Sequence, residues 1–264
     1  MFNIRLVAIG TLLLSGYCGA QFVPVSQSRS IQGEDSITYY YRDPSRPPTV
    51  NQTHDSRTAP DFSSFNQSLA TYPPISQSSS ITPSLITGSG QAGGSGSISG
   101  PGNIVSYSTD ATDGSSLFGF TFNLTAPTSI VLSGTIHEDQ FVLDLGQPNA
   151  SIVLRQVGGP VLASAVRPLQ APLPIDVPLM YAATLDPGQY TLSAAATTRE
   201  LAPADPLQSF GGTEESSFQF TFQAVPEPGA LLAPCLAVLT VIGLRVRAQP
   251  HLPGPRHWRS RCSS

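Results

Sequence analysis

Two strictly alternating segments constrain this chain more than anything else in it. Phe118, Phe120, Phe122 and Leu124 are separated by Gly119, Thr121 and Asn123, and Phe218, Phe220 and Phe222 by Gln219 and Thr221. Successive side chains on a strand point to opposite faces, so each segment buries one row of large apolar groups and wets the other. Tyr190, Leu192 and Ala194 repeat the pattern around Thr191 and Ser193, and residues 130–136, 141–145 and 151–154 are further candidate strands. Ala126-Pro127-Thr128, Gln147-Pro148-Asn149 and Asp186-Pro187-Gly188 punctuate them. In the last of these Pro sets one dihedral and Gly permits positive φ. Short strands between turns predict an all-β fold, an antiparallel β-sandwich of jelly-roll type.

Composition agrees. Of 264 residues 23 are Gly and 25 Pro, only 11% are charged, and every basic residue is arginine. A helical bundle needs Ala, Glu, Lys and Leu at helical spacing, which is missing. A formal charge of -4, with no basic stripe over a folded region, argues against nucleic acid as a partner. The 40% hydrophobic content is too high for a wholly disordered chain. The charge is unevenly spread. Residues 21–226 hold 16 acids against 7 arginines, whereas residues 245–264 hold Arg245, Arg247, Arg256, Arg259 and Arg261 and no acid.

Both ends carry an apolar run. Arg5, the apolar residues 6–14 and a small residue at Ala20 have the form of a secretory signal peptide over residues 1–20, cut by signal peptidase to leave Gln21 first. Cys18 is either discarded with that peptide or lipidated, and the bulky Tyr17 before it disfavours lipidation. The other cysteines are Cys235 and Cys262, so the long middle region has none to staple. The second apolar run, residues 229–244, reaches about 24 Å as a helix against a bilayer core of roughly 30 Å, and it contains Pro234. It reads as a single marginal transmembrane helix, with the arginines behind it on the cytoplasmic side.

Val225-Pro226-Glu227-Pro228, the apolar run, and then Arg245-Val246-Arg247 resemble the PEP-CTERM sorting signal of exported Gram-negative proteins. The resemblance implies an inner-membrane-anchored precursor. Exosortase, a membrane-embedded protease-like enzyme, would recognise the Pro-Glu-Pro motif outside the inner membrane, cut there, and pass the protein to the cell surface or the extracellular space. Prolines leave the chain extended, which suits a protease substrate. In this reading Arg245 and Arg247 hold the cytoplasmic end. Residues 21–224 are the ectodomain, 225–247 the sorting signal and 248–264 a basic disordered tail, which family members usually lack.

Residues 21–110 are rich in Ser, Gln and Gly, and read either as linker or as polar-faced edge strands. Ser26-Gln27-Ser28-Arg29-Ser30-Ile31 recurs as Ser76-Gln77-Ser78-Ser79-Ser80-Ile81, which favours strands. Residues 43–59 and 91–102 are expected to be flexible loops. No cofactor motif is present. His137-Glu138-Asp139 reads as a solvated hairpin loop, since a metal or catalytic cluster needs partners the sequence does not place nearby. Glu138, Asp139 and Asp144, or Asp110 and Asp113, are candidate calcium ligands lacking a full loop pattern. Tyr39, Tyr40 and Tyr41 beside Arg42 either stack on sugar rings or reflect strand propensity, and at most two can share a face. Asn51, Asn66, Asn123 and Asn149 head sequons that a Ser/Thr-rich bacterial chain contains by coincidence. The expectation is a non-enzymatic exported surface or matrix protein associated with envelope or exopolysaccharide. The alternatives are a carbohydrate-binding sandwich and, behind it, a polysaccharide hydrolase.

Overall fold

A computed structural model describes residues 22–71, 74–99, 105–141, 148–168, 171–199 and 211–225. The described residues form twelve strands and no helix: β1 (Val23–Tyr41), β2 (Thr49–Thr58), β3 (Phe65–Leu69), β4 (Ile75–Ile81), β5 (Leu85–Ser99), β6 (Val105–Leu124), β7 (Thr128–Phe141), β8 (Asn149–Gln156), β9 (Val161–Val166), β10 (Ile175–Leu185), β11 (Gly188–Thr198) and β12 (Gly211–Val225). Every pairing is antiparallel. One layer reads β3-β4-β5-β12-β7-β10 and the other β2-β1-β6-β11-β8-β9. β5 and β6 pair through residues 95–99 and 108–112, so the layers are one sheet folded over on itself. The all-β, antiparallel, sandwich-like class expected from the alternation is therefore what these residues adopt.

The alternating segments supply the core. Phe118, Phe120 and Phe122 of β6 face Phe218, Phe220 and Phe222 of β12, with Ile130, Leu132 and Ile136 of β7, Ile152 and Leu154 of β8, and Leu192 of β11 around them, all buried. Aromatic pairs knit the layers: Phe118 meets Phe220 edge-on at 4.9 Å and Phe122 lies 5.5 Å from Phe222. Phe22 stacks on Phe222 at 4.8 Å. Its amide donates to the Pro83 carbonyl, as the Ala224 amide does to that of Ser84.

Residues 22–71 and 74–99 are not linker. They contribute β1 to β5, and the expected flexible loops at 43–59 and 91–102 are corrected to strand over most of their described length. β2 occupies 49–58, and β5 runs on to Ser99. Glycine is used here for space. Gly88 and Gly90 of β5 lie directly opposite Phe220 and Phe218 of β12. A Cβ on Gly88 would sit 2.5 Å from the Phe220 ring, and one on Gly90 2.2 Å from Ser116 Oγ and 2.5 Å from the Phe218 ring. The rings lie across the bare backbone, and the glycine run that suggested a linker is what admits them.

The Ser-Gln-Ser echo has a structural counterpart. Its copies lie in β1 and β4, in opposite layers, with Arg29 Nη1 donating to Ser79 Oγ at 3.2 Å between equivalent positions. Arg29 is fully buried. Its Nε donates to Gln27 Oε1 at 3.0 Å, its Nη2 donates to the Asp61 carbonyl, and the guanidinium lies over the Phe65 ring. Gln77 Nε2 crosses between layers to the Leu117 carbonyl at 2.7 Å. Ile31, Leu69 and Ile75 form a small apolar cluster alongside.

Asp186-Pro187-Gly188 forms the expected turn, and it carries the chain from β10 in one layer to β11 in the other. Gly188 does not use positive φ; among the described glycines Gly158, between β8 and β9, does, at 72°. The corner is held by Tyr190, whose hydroxyl donates to the Asp186 carbonyl at 2.8 Å. Burial, then the nearby Asp186 and Tyr181, raise that phenol above its ordinary range. Of the candidate strand at 141–145 only Phe141 is described, as the end of β7.

Candidate functional site

Val225 is the last residue of β12, opposite Ser129 of β7 and partly exposed. Pro226, Glu227 and Pro228, the run 229–244, Arg245, Arg247, the tail 248–264, residues 1–20 with Ala20, Gln21, Asp144 and all three cysteines lie outside the described residues. Among the described residues no helix is long and apolar enough to cross a membrane.

The register of β4, β5, β12, β7 and β10 builds a polar outer face. Strands in register align every second residue, so core alternation on one side dictates a matching row on the other. Ser76, Gln91, Ser217, His137 and Asp176 form one row, Ser78, Ser89, Gln219, Thr135 and Pro178 the next, and Ser80, Thr87, Thr221, Ser133 and Met180 a third. A shallow groove of about 330 Å³ crosses the first two, lined by Ser76, Ser89, Gln91, Thr135, Ser217 and Gln219 among others. A second one adjoins it over Ser133, Thr135 and Met180. The lining is hydroxyl and amide. Gln91 donates to Glu215 Oε1 at 3.1 Å, and Met180 stands 79% exposed at the margin.

His137 is here rather than in a hairpin loop. Strand β7 continues past Ile136, so His137 points outward and Glu138 inward. His137 Nδ1 lies 2.8 Å from Asp176 Oδ1. Ser217, His137 and Asp176 thus share a row with the composition of a hydrolytic triad. The resemblance stops at composition: β12 is paired on both sides, so the amides flanking Ser217 are spent in ladders to β5 and β7. No free pair of N–H groups stands beside that hydroxyl to hold an oxyanion.

The sequence reading puts Glu138 in a solvated loop and does not single out Glu214; both point inward. Glu138 is buried, accepting from the Ala150 amide at 2.7 Å and pairing with Arg167 Nε at 3.0 Å. Glu214 is 2% exposed; Gln140 Nε2 donates to its Oε1 at 3.2 Å, and among the described residues its Oε2 has no partner within hydrogen-bond distance. Desolvation by burial, opposed by the Arg199 backbone amide and reinforced by Asp113, pushes its carboxyl up to about 7. Parity was the available signal, since Glu138 continues the row of Ile136 and Glu214 the row of Phe218. The described calcium candidates do not share a loop: Asp110 and Asp113 lie within β6, paired to β1, and Glu138 and Asp139 within β7. Among the described residues no group of three or more His, Cys, Asp or Glu could hold a metal ion.

The tyrosines of β1 are laddered to both β2 and β6 over Tyr39, with Tyr39 and Tyr41 on one face and Tyr40 on the other. The Tyr41 ring is already covered: Arg46, not Arg42, lies 3.6 Å from its centroid, and its hydroxyl donates to Thr49 Oγ1 at 3.0 Å. This intramolecular cation–π contact occupies a face that a sugar ring would need.

No protein-family model and no curated protein matches this sequence. Among solved structures the chain is similar to the enzymatically active domain of bacteriophage CBA120 tailspike protein 4, with 13% identity over 57% of this chain and a TM-score of 0.21. It spans only 19% of that domain. It is also similar to infectious bursal disease virus, Gt strain (12% identity, 86% of this chain and 75% of that one, TM-score 0.21), and to the GH31 α-xylosidase of Xanthomonas citri (9% identity, 72% and 28%, TM-score 0.19). Likeness at this level carries no inference about ligand or activity.

Proposed function

We propose that this chain is a non-enzymatic exported protein of the bacterial surface or extracellular matrix, sorted through Val225-Pro226-Glu227-Pro228 and cut there by exosortase. The supporting observation is where β12 ends. It is the last described strand, it is central to its layer, and its final residue is Val225, just before Pro226. A cut at Pro226-Glu227-Pro228 therefore removes no described strand. Mass spectrometry of surface-released protein is expected to find a C-terminus within or just after that motif in cells with active exosortase, and retained precursor in cells without it. Released protein that still carries Arg247 overturns the reading.

A second reading, carbohydrate binding, draws support from the hydroxyl and amide groups of the outer face, which carries charge at Asp176 and at Glu215 beside Gln91, rather than from the tyrosines. Dense donors and acceptors on a sheet suit a polysaccharide. In affinity electrophoresis on a neutral glucan gel, Gln91→Ala/Gln219→Ala is expected to lose most of the retardation shown by the parent. Equal mobility of parent and variant in gels with and without glucan rejects it.

A further inference from the structure

Each layer of the sandwich has two outer edges, and the four are not treated alike. An unpaired strand edge offers a row of N–H and C=O groups to any passing strand, and folded proteins blunt such edges by shortness, proline or charged side chains. β3 has five residues and β9 six. β10 is longer but carries Pro178 at its centre, where no amide is available to donate. β2 has neither shortness nor proline to protect it, and its two charged groups, Asp55 and Arg57, pair with each other. It is ten residues long, without proline or lysine, every side chain is exposed, and among the described residues it pairs with β1 alone.

Its charges are arranged to suit its own copy. Asp55 and Arg57 lie two apart on one face of β2, about half exposed, and form an ion pair. An antiparallel copy placed with Ser56 opposite Ser56 sets each Asp55 against the other chain's Arg57, at a Cβ spacing of about 4.5–5.5 Å. Sliding the register by two residues, so that Asp55 meets Asp55, sets like charges against each other.

We propose that β2 is a self-association edge: two copies of this chain join antiparallel through residues 54–58, in the register that pairs Asp55 with Arg57 across the two-fold axis. The contact is small against the roughly 1,000 Å² of a stable interface, so association is weak in dilute solution and strengthens where copies are crowded.

A weak symmetric contact is best captured covalently. The test uses the full chain with Cys18, Cys235 and Cys262 changed to serine, purified in mild detergent and oxidised. In that background Ser56→Cys lies on the axis and is expected to form disulfide-linked dimer on a non-reducing gel, whereas Thr49→Cys at the strand's far end does so at least about fivefold less. Adding Arg57→Asp to Ser56→Cys places like charges across the axis and is expected to cut the yield by about the same factor. Asp55→Arg/Arg57→Asp restores the opposite pairing and the yield. Circular dichroism of each variant confirms that the sheet is retained. Equal cross-linking at 49 and 56, or equal yields with and without Arg57→Asp, overturns the proposal, as does failure of the double exchange to restore dimer in a folded protein.

Discussion

Raising the pH from about 4.5 to about 8 is expected to destabilise this sandwich, and Glu214→Gln to remove most of that loss. The Glu214 carboxyl is held near 7 in the fold against 4.5 when solvated, chiefly by burial. Between those values the unfolded chain has released the proton and the folded chain keeps it, so stability falls as pH rises through the interval and levels off above it. At ~1.4 kcal/mol per pH unit the loss amounts to about 3 kcal/mol. The sign is opposite to that of a salt-bridged carboxylate. Gln140 still donates to the remaining carbonyl oxygen of a glutamine at 214, so the variant keeps its hydrogen bond while shedding the charge. Urea midpoints of parent and variant across this range measure the effect. A parent that is as stable at pH 8 as at pH 5, or a variant with the parent's slope, contradicts it.

The second large effect is expected at Gly90. A single methyl there meets the Phe218 ring and the Ser116 hydroxyl at separations no unstrained Cβ shows. The hydroxyl can rotate, but the ring is buried among Phe220 and the β7 side chains and has little room to retreat. Overpacking of this kind costs about 2–3 kcal/mol. Gly90→Ala is therefore expected to lower the urea midpoint, and Phe218→Leu to cost at least about 1 kcal/mol less in the Gly90→Ala background than in the parent. Additive effects would place the strain elsewhere. Gly188 provides the control, since no atom comes closer than 3.5 Å to a Cβ there.

These two positions also mark how far the sequence could be read. Strands that bury one face and wet the other announce themselves, so β6, β11, β12 and parts of β7 and β8 were legible from their Phe, Leu and Ile rows. β2 has no such row because both its faces meet solvent, and its Thr-Asn-Gln run reads as loop. β5 was obscured by its own solution to packing, since glycines that admit Phe218 and Phe220 look like glycines that loosen a chain. Glu138 reads as part of a solvated loop, and neither Arg29 nor Glu214 is singled out as buried. Only the parity of their strands, or for Arg29 the echo with Ser79, carried the contrary signal. The groove on the outer face was not legible, since its rows exist only once five strands distant in sequence are set in register. The sorting motif remains a reading of residues alone, joined to the fold at Val225.

The hydrogen bonds of Phe22 to Pro83 and of Ala224 to Ser84, with the stack of Phe22 on Phe222, have a topographic consequence. Both ends of the described chain leave from one pole of the molecule. β1 starts at that pole and runs for 19 residues, so Tyr41 lies at the other end of the strand. Whatever is joined to either end, be it a leader, an anchor or a fusion partner, holds the molecule by the same foot. The same geometry makes the described unit a cassette: spliced into a surface loop of another protein through Phe22 and Val225, it would enter and leave at neighbouring points.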